Sequence, residues 1–264
     1  MRTSLIITTY NRPDALNFVL QSVKNQTILP DEVIIADDGS SNETSFLIEE
    51  YRIKSNLNII HSWQEDKGFR LARSRNKAIL LAKSEYIIQI DGDMVLHKNF
   101  VSDHIKNASK GFFIQGSRVL LNETVTNEAL KNMTQKFSFF QVGISNRKNS
   151  LHSNILSKAL SFSSIKIAGI RGCNMSYFKN DFLRVNGFNN LIEGWGREDT
   201  EFVVRLFNLG IRRKNLKFGA IQYHLWHGLE NNHSLRVNDL ILENTIKQKL
   251  TRCESGVHEL KNEY

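Results

Sequence analysis

Cysteine is scarce in this sequence. Cys173 and Cys253 are the only two, and they lack the spacing of a metal knuckle. No disulfide framework follows, and a reducing compartment is the simpler reading. Long apolar runs are missing as well. No uncharged apolar stretch reaches the ~18 residues that a membrane-crossing helix needs. The apolar stretch near the start, Ser4 to Thr9, is too short for a signal-peptide core and has no cleavage-site pattern. The protein is therefore expected to be cytoplasmic, or to sit on a membrane from the cytoplasmic side. Internal repeats and low-complexity tracts are absent. So is any Ser-His-Asp or Cys-His signature of nucleophilic catalysis.

What is present fits a globular protein. Hydrophobic residues make up 41% and charged residues 23% of 264 positions, which argues against disorder, collagen-like repeats and coiled coils. The length suits one large domain or two small ones. Lys and Arg exceed Asp and Glu by 35 to 27, a net charge of +8. That balance suggests anionic partners: nucleic acid, nucleotide phosphates or an anionic membrane face.

The first hundred residues alternate strand and helix signals. Apolar runs at Leu5–Ile7, Glu32–Ala36, Leu57–Ile60 and Tyr86–Ile90 read as strands. Helical spacing after Pro13, around Phe46–Tyr51 and over Leu71–Leu81 separates them. This predicts an α/β fold with a Rossmann-like, mostly parallel sheet flanked by helices. Ligands bind such sheets outside the carboxyl ends of the strands. Thr8-Thr9, Asp37-Asp38 and Asp91-Gly92-Asp93 lie at those ends.

We divide the chain into a first half (1–110), a second half (111–233), and a helical basic tail (234–264). Residues 117–166 show no clear period and read as an irregular insertion or lid. Regular structure is expected to resume at Ile167-Ala168-Gly169, with a helix near Asp181–Val185, another after Asp199 and a strand at Ala220–Tyr223.

Each motif has a chemical and a plain structural reading. Asp91-Gly92-Asp93 offers two hard oxygen ligands on a tight corner, suited to Mg²⁺ or Mn²⁺ carrying phosphates, or it is an ordinary turn. Asp37-Asp38 can hold a ribose, or precede a helix cap. Gly68 to Asn76 begins a helix rich in Arg, which favours phosphate, or forms a solvated basic face. Ala72 and Asn76 are expected to share the face toward the rim. Glu198-Asp199 at a helix start can supply a general base, or cap the helix. His224 and His227 are candidate ligands for Mn²⁺ or structural histidines.

In order, Ile6-Ile7-Thr8-Thr9-Tyr10-Asn11-Arg12, Ala36-Asp37-Asp38-Gly39-Ser40, Lys67-Gly68 through Asn76, and Asp91-Gly92-Asp93 resemble the inverting glycosyltransferases of family 2, with the GT-A fold. Gly187-Phe188, Trp195-Gly196-Arg197-Glu198-Asp199 and His224…His227 resemble the C-terminal half of the β-1,4-galactosyltransferase and chondroitin polymerase type. The resemblance spans about residues 4–230. It implies a UDP-sugar site built from Thr8, Tyr10, Arg12, Asp37, Asp38, Gly68, Arg73, Asn76, Asp91 and Gly92. It implies a metal on Asp93, His227 and His224, although a Met stands at the position of His224 in the galactosyltransferases. Asp199 would be the base, Glu198 would hold the acceptor, and Trp195 and Gly196 would line the acceptor site.

The implied reaction is a single displacement that inverts the anomeric centre. Its acceptor would be a glycan or lipid-linked glycan, as in bacterial surface polysaccharide or lipooligosaccharide synthesis at the inner membrane. Two other readings stay open. A metal-dependent nucleotidyltransferase also uses paired acids, but has no need of Trp195–Asp199. A nucleic-acid-binding module suits the charge, but acids on the rim would repel phosphates; nucleic acid is not an expected partner. Residues 147–166 carry Arg147, Lys148, Lys158 and Lys166 and no acids. If Leu151, Ile155 and Phe162 share a helical face, this segment can lie on an anionic membrane.

Overall fold

A computed structural model describes residues 1–228 and 234–260. The strands are β1 (Thr3–Thr9), β2 (Glu32–Asp37), β3 (Ile59–Trp63), β4 (Tyr86–Asp91), β5 (Met94–Leu96), β6 (Phe112–Gln115), β7 (Arg118–Leu121), β8 (Ile144–Ser145), β9 (Phe162–Ser164), β10 (Asn174–Phe178), β11 (Arg212–Asn215) and β12 (Gln222–His224). The helices are α1 (Pro13–Lys24), α2 (Asn42–Lys54), α3 (Leu71–Leu81), α4 (Phe100–Asn107), α5 (Glu123–Asn132), α6 (Asn154–Leu160), α7 (Lys179–Arg184), α8 (Glu198–Asn208), α9 (Leu235–Lys247) and α10 (Val257–Leu260).

An eight-stranded sheet runs β3-β2-β1-β4-β10-β6-β11-β9. The first four strands are parallel, as the apolar runs predict. Then β10 enters antiparallel to β4 and β6. The sheet is therefore mixed, and its switch of direction falls beside the Asp91 strand end.

Alternation within the strands covers both faces. Leu5, Ile7, Val33, Ile35 and Ile88 pack with Leu16, Val19 and Ile48 of α1 and α2. Ile6, Ile34, Ile87 and Tyr177 pack on the other face with Ala72 and Ile79 of α3 and Phe202 and Val203 of α8. Each Leu, Ile or Phe so enclosed contributes about 1.5–3 kcal/mol. A second sheet, β5-β12-β7-β8, stands beside the first and has its own core with α1 and α5.

Residues 117–166 are not one irregular insertion. They contribute β7 and β8 to the second sheet, β9 to the first, and helices α5 and α6. Their strands are two to four residues long, too short to show a period. The expected shared helical face does not form either, because α6 spans only Asn154–Leu160 while Leu151 precedes it and Phe162 lies in β9. No element forms at 167–169; the chain stays irregular until β10.

The tail is helical but not basic. Arg236, Lys247, Lys249, Arg252 and Lys261 are matched by Asp239, Glu243, Glu254, Glu259 and Glu263. It docks on the body: Thr245 donates to the buried Glu201 of α8, which also pairs with buried Arg205. Among the described residues no helix is long and apolar enough to cross a membrane.

Candidate active site

The strand ends and the C-terminal half enclose a cleft of about 1090 Å³. Thr8, Tyr10, Arg12, Asp38, Asp91, Gly92 and Asp93 line it with His227, and so do Trp195, Gly196, Glu198 and Asp199 of the C-terminal half.

The Asp91-Gly92-Asp93 turn presses against β1. A Cβ on Gly92 would lie 2.5 Å from the Thr8 carbonyl oxygen, so glycine alone allows this approach. Asp91 takes the buried Arg75 guanidinium at 2.7 Å and the Thr8 hydroxyl at 3.1 Å. Asp93 points the other way, to two imidazoles. His224 Nε2 lies 3.2 Å and His227 Nε2 3.3 Å from Asp93 Oδ2.

The second sheet makes this meeting possible. β12 runs antiparallel to β5 with His224 opposite Met94, and the Leu225 amide donates to the Asp93 carbonyl. His227 Nδ1 meets the Gly228 carbonyl at 2.7 Å, which leaves Nε2 toward Asp93. α5 braces the loop, since Thr126 accepts the Trp226 amide. The ligand atoms of Asp93, His224 and His227 lie within 4.8 Å of one another. Asp93 Oδ1 is buried without a hydrogen-bond partner. Burial acts to raise the Asp93 pKa, but the His224 hydrogen bond and the charges of His224, His227 and Arg12 outweigh it, so the carboxyl is held below its usual range. An ionised carboxylate, two imidazoles and an orphaned oxygen converging on one point fit a divalent cation.

In the C-terminal half, Arg197 adopts a left-handed φ of 79° just before α8, which begins at Glu198. Asp199 Oδ2 accepts the Gly172 amide at 2.7 Å and Oδ1 the Thr200 hydroxyl at 3.0 Å. Glu198 accepts from Arg75 at 3.2 Å. Burial, then the adjacent Asp199 charge, pushes the Glu198 pKa up to about 7 against the opposing pull of Arg75. The Trp195-Gly196 loop is held from the tail, where Asn238 donates to the Glu193 and Gly196 carbonyls and Asp239 pairs with Arg197.

Four expected nucleotide-site residues do not line the cleft. Asp37 is fully buried, accepting the Ser40 amide and pairing with His61 at 2.8 Å. Gly68 sits in the loop before α3 and gives its amide to Asp66. Arg73 reaches Gln64 at 3.4 Å. Asn76 turns away from the rim: it bonds both the carbonyl and the amide of Phe188, and Asn190. Gly187 makes room for it, because a Cβ there would meet Asn76 Oδ1 at 2.5 Å. Asp38 does line the cleft, with its oxygens taken by Gln64 and the Arg70 amide.

Sequence reasoning missed Arg75. Only 1% exposed, it bridges Asp91 and Glu198 and lies 5.5 Å from the centre of the Phe188 ring. Its signal was available, since it stands one residue before Asn76 and three after Ala72 on a helix whose inward stripe was visible.

The family model for glycosyl transferase family 2 matches residues 4–171. The chain belongs to glycosyl transferase family 2. It has a GT-A fold. A second model, described as the N-terminal domain of galactosyltransferase, matches residues 155–227. The chain is 28% identical to a chondroitin synthase of Escherichia coli over 84% of its own length and 34% of that protein's. It is 29% identical to a hyaluronan synthase of Pasteurella multocida, over 84% of its length and 24% of the relative's. It thus spans about a third or less of these relatives. S. aureus TarS in complex with UDP superposes with a TM-score of 0.63 at 17% identity, covering 98% of this chain and 68% of that one. A mannosyltransferase from Pyrobaculum calidifontis, in complex with GDP-Man and Mn²⁺, gives 0.59 at 15% identity, covering 90% and 60%. These two likenesses support the fold.

Proposed function

We propose that this family 2 glycosyltransferase moves a sugar from a UDP-sugar to a hydroxyl of a glycan or lipid-linked glycan, with inversion, and depends on a divalent cation held by Asp93, His224 and His227. The carrying observation is that these three side chains converge at the edge of a cleft that Asp93 and His227 line together with Glu198 and Asp199. Two imidazoles favour Mn²⁺ over Mg²⁺, which prefers oxygen ligands throughout. When bound, the cation neutralises charge on the departing diphosphate.

The protein's own groups do the rest. Residues 1–110 hold the donor: Asp91, fixed by Arg75 and Thr8, faces the ribose or donor sugar. Residues 111–233 hold the acceptor. Its hydroxyl loses a proton to Asp199, which the Gly172 amide and Thr200 orient. Glu198, half protonated near neutrality, can donate to or accept from the acceptor. Attack from the face opposite the leaving group inverts the anomeric carbon in one step, so no nucleophilic side chain is needed. The complex of TarS with UDP and the polysaccharide synthases among the relatives support this donor and acceptor class.

Incubation with UDP-sugars, Mn²⁺ and glycan acceptors should release UDP and form a β-glycoside from an α-linked donor. Release of sugar 1-phosphate instead would favour nucleotidyl transfer.

Membrane contact belongs to the same reading. Ile155, Phe162 and Ile165 are 83%, 53% and 64% exposed beside Lys158 and Lys166. Flotation with anionic vesicles at low salt, lost at high salt and in Lys158→Glu, is expected. A wild type that ignores such vesicles contradicts it.

A further inference from the structure

A second recess of about 330 Å³ lies beside the cleft, between the end of β6, β9, β11 and the irregular stretch before β10. Its walls carry Lys166, Arg171, Arg213 and Lys217 and no acidic residue. Arg213 is 4% exposed. Its guanidinium donates only to neutral acceptors: the Ala168 carbonyl, the Ser164 hydroxyl and the Gln115 side-chain oxygen. Among the described residues no carboxylate pairs with any of the four cations. Burial, and then the charge of Arg171, pushes the Arg213 pKa down.

A guanidinium enclosed this far without a counter-charge is costly. Four cations around one small recess repel one another until an anion enters. Two guanidinium groups suit the planar oxygens of a carboxylate or phosphate, and the two lysines add point charge. The recess also has a direction. Arg171 lines both it and the cleft, and the next residue, Gly172, holds Asp199 through its amide at 2.7 Å. An acceptor with its hydroxyl at Asp199 can therefore extend past Arg171 into the recess.

We propose that this recess binds an oxyanion of the acceptor, a carboxylate or a phosphate, and so selects acidic acceptors over neutral ones. The acceptor part of this proposal rests on Asp199 being the base; the anion site itself does not.

The test titrates glucuronate and, separately, inorganic phosphate into the full chain saturated with UDP and Mn²⁺, with glucose as the neutral control. Calorimetry should show one anion site in the wild type. Lys166→Glu, at an exposed position, combined with Lys217→Glu, at a half-buried one, should weaken anion binding by at least about 10-fold and leave UDP binding unchanged, with the melting curve recorded to confirm folding. Arg213→Gln should do the same, with its melting curve recorded to confirm folding. The tighter of the two anions identifies the source. Equal anion binding by wild type and charge-reversed variant, or no binding by the wild type, overturns the proposal. A wild type that binds the anion but never UDP supports the recess and sinks the donor reading alone.

Discussion

Asp91 and Asp93 stand two residues apart on one turn, yet they meet opposite surroundings. Asp91 is held by a guanidinium and a hydroxyl, both in place in the folded chain. Asp93 faces two imidazoles and keeps one buried oxygen without a partner. The first carboxylate is already satisfied, so its geometry is fixed before any ligand arrives. On the proposed reading, the second is completed by a cation that accepts electron pairs from all three side chains. Identical residues on the same turn thus meet different partners, a helix guanidinium for Asp91 and two second-half imidazoles for Asp93, and the proposed division into positioning and ligation rests on that difference.

Four substitutions probe this division, from the largest expected effect to the smallest. Asp93→Ala should lower kcat by about 10³-fold or more, since the charge on the leaving diphosphate then goes uncompensated. Steady-state rates with excess Mn²⁺ check this, and a loss below tenfold would erase the contrast with Asp91. Arg75→Met should destabilise the fold by about 3 kcal/mol, because it strands Asp91 and Glu198 without a counter-charge. Urea denaturation measures it; an unchanged midpoint would mean that Arg75 holds neither acid. Asp199→Asn should cut kcat by at least ~10²-fold while UDP affinity stays level. A variant that loses UDP but keeps turnover would reverse the two sides of the cleft.

The smallest effect concerns pH. Burial and the Asp199 charge push the Glu198 pKa up to about 7 in the fold, against an ordinary value of 4.5. Between those values the folded chain binds more protons than the unfolded chain, so this group's contribution to stability declines as pH rises from about 4.5 to about 7. Glu198→Gln lacks that slope. Its melting temperature should therefore gain on the wild type across this window. Parallel curves would place Glu198 in an ordinary carboxylate environment.

The sequence made the parallel half of the sheet legible because three of its four strands, β1, β2 and β4, are buried almost throughout and read as apolar runs. Asp93, His224, His227 and Asp199 were legible as candidates near strand and helix ends, and the structure brings the ligand atoms of the first three within 4.8 Å of one another and sets Asp199 on the cleft. Three things were not. Residues 117–166 hid strands of two to four residues, stabilised by pairing across the sheet rather than by local pattern. The tail's part in holding Trp195 and Gly196 rests on Asn238 and Asp239, whose spacing says nothing of a loop some forty residues earlier. Asn76 looked like a rim residue, but its partner is the backbone at Phe188, a contact that no local signal announces.

The measurement that bears most directly on the metal reading is Mn²⁺ binding, followed by the paramagnetic resonance of the free ion during titration with UDP present. Wild type should take up one ion per chain, Asp93→Ala none, and His224→Ala and His227→Ala should each bind more weakly by about 10-fold or more. EDTA should abolish wild-type turnover and Mn²⁺ should restore it. Equal turnover with EDTA and with Mn²⁺, or a wild type that takes up no more Mn²⁺ than Asp93→Ala, would contradict the assignment of Asp93, His224 and His227 as the metal site.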